Sequence, residues 1–166
     1  MTKIYESYPA TGVILINLFN AIIALLGALI LLPYGVHVSL LYLVYVLYLE
    51  FQIMWGGCVN CFYYGKMCFC GKGVCAAKLF KKGDAKKFSQ KQITWLTLLP
   101  TFMIVILPIV CGAILLAIEF DWILLAAIVA IGILGFPAQG ITHGWGCGHC
   151  KQRELGCPAE KLFQKK

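Results

Sequence analysis

The residues most able to do chemistry are cysteines, and six of them recur at one spacing. The two runs lie 89 positions apart and read Cys58-x2-Cys61-x6-Cys68 and Cys147-x2-Cys150-x6-Cys157. A CxxC pair lets a tight turn direct both sulfurs at one ion, and the longer gap returns the chain for a third ligand. Thiolates prefer zinc, copper(I) or iron–sulfur clusters to hard cations. The spacing therefore predicts two related metal-binding segments.

The number of ligands leaves three arrangements open, because each run has three cysteines and common sites take four ligands. The two CxxC pairs together form one four-thiolate site that excludes Cys68 and Cys157, or each run recruits a fourth ligand, or each holds a cluster with one iron left open. The candidates for a fourth ligand lie beside the runs and are Cys70, Cys75, His143 and His149.

Four basic residues lie close to these cysteines in sequence: Lys66, Lys72, Lys151 and Arg153. Positive neighbours favour thiolates and would offset the negative charge of a cluster. The same residues also suit a loop anchored at a membrane surface, so charge alone does not separate the two interpretations. No phosphate loop, serine triad or carboxylate pair is visible, and no catalytic residue is predicted.

The elements that carry the cysteines are predicted to be membrane helices. The chain of 166 residues is 61% hydrophobic and 13% charged, whereas soluble domains carry about 25% charged residues. Four segments are long and apolar enough to cross a bilayer, which takes about 20 residues: 11–32, 36–55, 93–118 and 122–141. With the repeated cysteines they predict an all-α integral membrane protein of two tandem repeats, residues 1–89 and 90–166, each a helical hairpin that ends in a cysteine-rich segment.

The distribution of basic residues predicts the orientation. Thirteen of the 14 lysines and arginines lie in the middle loop and the tail, and neither hairpin tip has one. Basic residues stay on the cytoplasmic side, so the loop, the tail and both termini are expected in the cytoplasm and the chain in the plasma membrane. This topology accounts for the net charge of +7, and no nucleic-acid partner is expected.

Two other features bear on the site. Glu50 lies in the second span, and the 89-residue offset maps it onto Gln139. An ionisable group within a span is a functional candidate, although this position also suits the headgroup region. Residues 74–82 predict a short basic amphipathic helix on the membrane surface.

The second run resembles a known class of membrane protein. Cys150 followed by Cys157-Pro158, just beyond a membrane helix, resembles the membrane-bound polyferredoxin-type proteins, which carry iron–sulfur clusters at the ends of helices. The resemblance covers residues 147–158 and, more loosely, 58–80, where Cys68-Phe69 stands in place of Cys-Pro. It favours an iron–sulfur cluster over zinc.

Three functions are expected to compete. The first is an electron-relay subunit of a membrane redox complex with an iron–sulfur cofactor. The second is a zinc- or iron-bound scaffold without catalysis, and the third is a four-helix thiol–disulfide oxidoreductase. The expected partners are the lipid bilayer and a membrane or cytoplasmic protein at the cysteine-rich face. Whether the chain catalyses any reaction is left open.

Overall fold

The protein is helical and, as predicted, has four helices long and apolar enough to cross a membrane. The computed structural model describes residues 3–158, so residues 159–166, with the predicted tail anchors Lys161, Lys165 and Lys166, lie outside the described part. The helices are α1 (Ala10–Leu31), α2 (Val36–Gly56), α3 (Lys72–Leu79), α4 (Ala85–Gln90), α5 (Trp95–Ile118), α6 (Trp122–Ile133), α7 (Gln139–Gly148) and α8 (Lys151–Glu154).

Short connections fold the chain into two helical hairpins. Leu32–Tyr34 form a 3-10 turn between α1 and α2, and Gly35 follows with a positive φ of 118° that a side chain would strain. Between α5 and α6, the Asp121 side chain caps α6 by accepting a hydrogen bond from Ile123 N at 2.7 Å. Both hairpin tips therefore lie at the end of the bundle opposite the cysteine runs.

Helices α1 and α5 form the centre of the bundle. Helix α1 packs against α2, α5 and α6, and α5 packs against α1, α2 and α6. Their shared core includes Ile23, Val105 and Ile131, all buried. Large apolar side chains on the outer faces remain exposed, among them Leu47 at 68% and Ile123 at 80%. Such a surface is compatible with contact with lipid.

Tyrosine hydroxyls join α2 to helix α5, which contains two prolines. Tyr42 donates to the Ile104 carbonyl at 2.9 Å. In a regular α-helix the carbonyl of Ile104 would accept the N–H of residue 108, but Pro108 has no N–H. Tyr45 donates to the Pro100 carbonyl at 2.8 Å. These hydroxyls satisfy backbone groups that lipid cannot.

The fourth span is longer than predicted. It passes through a π-helical turn, Leu134–Ala138, that contains Pro137, and continues as α7 to Gly148 rather than ending at 141. Cys147 is therefore on a helix and not in a tail. The amphipathic helix predicted for residues 74–82 is also displaced: α3 covers Lys72–Leu79, and a separate helix α4 follows it.

Candidate metal centre

Three segments meet at one end of the bundle, and together we call them the cysteine cap. They are the N-terminal strap (residues 3–9), the first cysteine segment (57–92) and the second cysteine segment (143–158). The strap leads into α1, the first segment follows α2, and the second contains the end of α7 and α8. The long apolar helices therefore bring the two cysteine runs to the same end of the molecule.

The N-terminal strap lies between the two cysteine segments and binds both. Tyr5 N donates to the carbonyl of His149 at 3.0 Å, and Tyr8 N donates to the carbonyl of Met67 at 2.9 Å. The Tyr8 hydroxyl donates to the Gly146 carbonyl at 2.6 Å. A single short strap thus fixes the first segment relative to the second.

Tyr63 is the centre of the cap and is only 2% exposed. Its hydroxyl donates to the Tyr5 carbonyl and accepts a hydrogen bond from Lys151 N at 2.9 Å. The adjacent Phe62 N donates to Gln152 Oε1 at 2.7 Å. A buried hydroxyl that uses both its donor and an acceptor position is costly to remove, so these contacts fix the second segment on the first.

Cysteines from both segments pack around this tyrosine. Cys61 and Cys68 from the first segment and Cys150 from the second are partly buried against Tyr8 and Tyr63. No disulfide joins any two of the nine cysteines, all of which lie in the described part of the chain. The structure therefore brings thiols of the two sequence-distant runs into one cluster.

Burial favours the protonated form of these thiols. It is the largest cause that raises the pKa of Cys61, to about 11, and the nearby charges of Cys150, Cys68 and Cys157 raise it further. Burial also raises the pKa of Cys150, and the charge of Cys157 acts in the same direction. Because metals bind thiolates, a metal ion at this position would have to displace protons.

A second group of polar residues lies between the cluster and the bundle. Lys72 Nζ forms an ion pair with Glu50 Oε2 at 2.6 Å. Burial raises the pKa of Cys70 to about 12, an effect opposed by the charge of Lys72. The backbone N–H of Gly73 donates to Cys68 Sγ at 3.3 Å. Lys72 was predicted to lie near thiols, and the structure adds Glu50 as its partner.

The other predicted metal ligands are more dispersed than the cysteines that pack around Tyr63. Cys75 and Cys147 are exposed. The ring of His143 packs edge-on against Phe69 with their centroids 5.7 Å apart, and His149 Nδ1 lies 2.8 Å from the carbonyl of Trp145. Within residues 3–158, no three His, Cys, Asp or Glu side chains are arranged to hold one metal ion. The thiols thus share a region without a chelating geometry, and the choice of ligands stays a prediction.

Sequence reasoning missed the residues that assemble the cap: Tyr5, Tyr8, Tyr63 and Gln152. Their roles depend on contacts between positions far apart in sequence, such as Tyr8 and Gly146. The available signal was a high density of aromatic residues beside the cysteines, since Phe62, Tyr63 and Tyr64 directly follow Cys61.

Comparisons of the chain with protein-family models, with curated proteins and with solved structures found no match. The chemistry of the cysteine cap is therefore the basis for assigning a function.

Proposed function

We propose that the protein is an integral membrane protein that binds an iron–sulfur cluster in its cysteine cap and relays electrons as a subunit of a membrane redox complex. The observation that carries the proposal is the packing of thiols from both cysteine segments around Tyr63. Soft thiolate ligands gathered at the end of a membrane bundle suit electron transfer between a protein partner and the membrane.

The donor set favours a cluster over one zinc ion. Eight cysteines belong to the two cysteine segments, more than one zinc site uses. The hydrogen bond from Gly73 N to Cys68 Sγ is of the kind that tunes the potential of a cluster. When bound, a cluster would supply one-electron chemistry, whereas zinc would supply none.

The scaffold alternative requires a metal to hold the cap together. Hydrogen bonds of Tyr63 and Phe62 already join the two segments through protein atoms alone. This favours a metal used for chemistry over one used for folding. The thiol–disulfide alternative needs its cysteines outside the reducing cytoplasm, and the concentration of basic residues in the segments of the cap and in the tail opposes that location.

We place the cap on the cytoplasmic face of the plasma membrane because the basic residues are concentrated in its segments and tail. A membrane-impermeant maleimide applied to intact cells should then miss Cys75, which is exposed in the cap. It should label a Phe120→Cys variant at the tip between α5 and α6, where the native side chain is 59% exposed. Labelling of Cys75 from outside would reverse this orientation.

The test of function is the visible spectrum, iron, sulfide and zinc content of the full chain purified in detergent without oxygen. We expect a brown protein with iron and sulfide that bleaches with dithionite. A colourless preparation with stoichiometric zinc would establish the scaffold function instead. A preparation without metal that also fails to take up iron and sulfide, or zinc, would contradict both.

A further inference from the structure

A cavity of about 270 Å³ lies between the 3-10 turn that follows α2 and the chain that leads into α4. Val59 and Asn60 line it from the turn, and Lys82 and Gly83 line it from the chain before α4. Gly83 N donates to the Val59 carbonyl at 2.9 Å, so a hydrogen bond joins the two walls. Sites that enclose whole small molecules usually measure about 300–1,000 Å³. This smaller cavity therefore suits a compact group such as a phosphate.

Lys66 and Lys82 give the cavity a positive charge. No Asp or Glu lines it in the part of the chain that the structure describes, and the ion pairs found there are made by other lysines. Asp84, the carboxylate nearest in sequence to Lys82, caps α4 by accepting a hydrogen bond from Lys86 N at 2.9 Å. The ammonium of Lys66 lies 4.2 Å from the centre of the Phe62 ring, and this cation–π contact holds it at the cavity, which Phe62 also lines. Both ammonium groups are therefore available to an anion.

In the membrane placement proposed above, the cavity lies at the level of the lipid headgroups. Tyr64 lines the cavity, and its hydroxyl donates to the carbonyl of Phe80. The Phe80 ring packs edge-on against Phe51, near the end of α2, with their centroids 5.0 Å apart. Phe51 is 48% exposed and Trp55, in the last turn of α2, is 65% exposed, as expected of aromatic side chains at a membrane interface. The headgroup layer is about 5–8 Å deep on each side of the bilayer, and the cavity begins directly after this helix end.

We propose, resting on that membrane placement, that the cavity binds the phosphate of an anionic phospholipid from the surrounding bilayer. Lys66 and Lys82 pair with the phosphate oxygens, and the side-chain amide of Asn60 supplies a further hydrogen-bond donor. Free phosphate has the same chemistry, but the cavity borders a layer in which lipid phosphate is concentrated. Zwitterionic headgroups are disfavoured because they carry an ammonium group of their own, which the two lysines repel.

Other lysines of the first cysteine segment allow a binding site to be separated from a general attraction to the membrane. Basic residues on the cytoplasmic side act as topology signals without binding any particular lipid. Lys78 and Lys81 are exposed in the same segment but do not line the cavity. Replacing either of them by glutamine removes the same charge as replacing Lys66 or Lys82, so the four variants differ in the position of the lost charge.

The test is native mass spectrometry of the full chain in a neutral detergent, titrated with phosphatidylglycerol or with phosphatidylcholine. The native chain should bind its first phosphatidylglycerol more tightly than its first phosphatidylcholine. Lys66→Gln and Lys82→Gln should each weaken phosphatidylglycerol binding about fivefold, the contribution of one basic residue near an anionic surface. Lys78→Gln and Lys81→Gln should stay within about twofold of the native chain, because charges outside the cavity act only through screened attraction. Equal losses in all four variants, or equal affinity for the two lipids, would overturn the proposal.

Two further measurements test the cavity and the source of the phosphate. Ala85 lines the cavity and is exposed at the start of α4, so Ala85→Phe should weaken phosphatidylglycerol binding without any change in charge. Unchanged binding in this variant would contradict the cavity as the site. Displacement of phosphatidylglycerol by an equal concentration of inorganic phosphate would assign the cavity to free phosphate and overturn the lipid. None of these measurements involves metal, so a chain that takes up no iron and sulfide contradicts the proposed electron relay, whereas a chain that binds no phosphatidylglycerol contradicts this site alone.

Discussion

The two cysteine segments share a spacing but are folded in different ways. The first segment is held by its own contacts: Gly65 N donates to the Gly73 carbonyl at 3.0 Å, and Gly83 N to the Val59 carbonyl at 2.9 Å. The Tyr64 hydroxyl donates to the carbonyl of Phe80 at 2.7 Å. The first segment is therefore a small folded unit fixed to the end of α2.

The second segment makes its long-range hydrogen bonds to other parts of the cap. Its backbone bonds to itself are local turns, such as Cys150 N to the Cys147 carbonyl at 3.3 Å. Its distant partners include Tyr63, Phe62 and Ser89 of the first segment and the N-terminal strap. The difference indicates that the first segment acts as the base on which the second is docked.

The largest expected loss of stability comes from a substitution in the first segment, which is the base of the cap. A Cβ atom at Gly73 would lie 2.6 Å from the Lys66 carbonyl oxygen and closer still to that of Tyr63. Since both obstacles are backbone atoms, Gly73→Ala should destabilise the cap by about 3 kcal/mol, the upper end of the cost of overpacking. The measurement is the free energy of unfolding in detergent together with protease protection of the first segment.

The matched control lies in the second segment. Gly148, at the end of α7, has open space on the side where a Cβ atom would lie, with no obstructing atom within 4 Å. Gly148→Ala should be neutral or stabilise the helix by up to about 1 kcal/mol. If both substitutions destabilise equally, the two segments do not differ as base and docked element.

The sequence was sufficient to predict the bundle but not the cap. Long apolar segments such as 11–32 are recognisable because lipid demands length and composition. The contacts of Tyr63 and Tyr8 cannot be inferred this way, since they join residues 88 and 138 positions apart. The end of the fourth span was also missed, because the predicted span stopped at residue 141, before His143, while α7 continues to Gly148.

An intermediate loss of stability is expected when the hydroxyl of Tyr63, which docks the second segment on the first, is removed. Tyr63→Phe removes the hydroxyl that binds both the Tyr5 carbonyl and Lys151 N. We expect a loss of about 1–3 kcal/mol because buried polar partners lose their hydrogen bonds. Hydrogen exchange at the Lys151 amide should accelerate accordingly.

Tyr64→Phe serves as the control for this prediction. Its hydroxyl donates to the Phe80 carbonyl at 2.7 Å, within the first segment. The substitution should leave exchange at the Lys151 amide unchanged. Similar acceleration in both variants would mean that the second segment is not docked through Tyr63.

The smallest expected effects come from two ion pairs, one that joins the first segment to α2 and one within the second segment. Lys72 and Glu50 have side chains only 17% and 35% exposed, and the pair joins α3 to α2. Lys151 and Glu154 are 36% and 47% exposed and lie three residues apart in the short helix α8. Glu50→Gln should cost about 1 kcal/mol or less, a figure discounted for solvent screening. Glu154→Gln should have no measurable effect on unfolding, because an exposed local pair holds no other element in place.

Unfolding at low and high salt checks both ion-pair predictions. Added salt should weaken the native chain relative to Glu50→Gln, because it screens the pair that only the native chain contains. The native chain and Glu154→Gln should respond to salt in parallel. A larger loss in Glu154→Gln than in Glu50→Gln would show that charge fixes the second segment rather than the first, and would reverse the assignment of base and docked element.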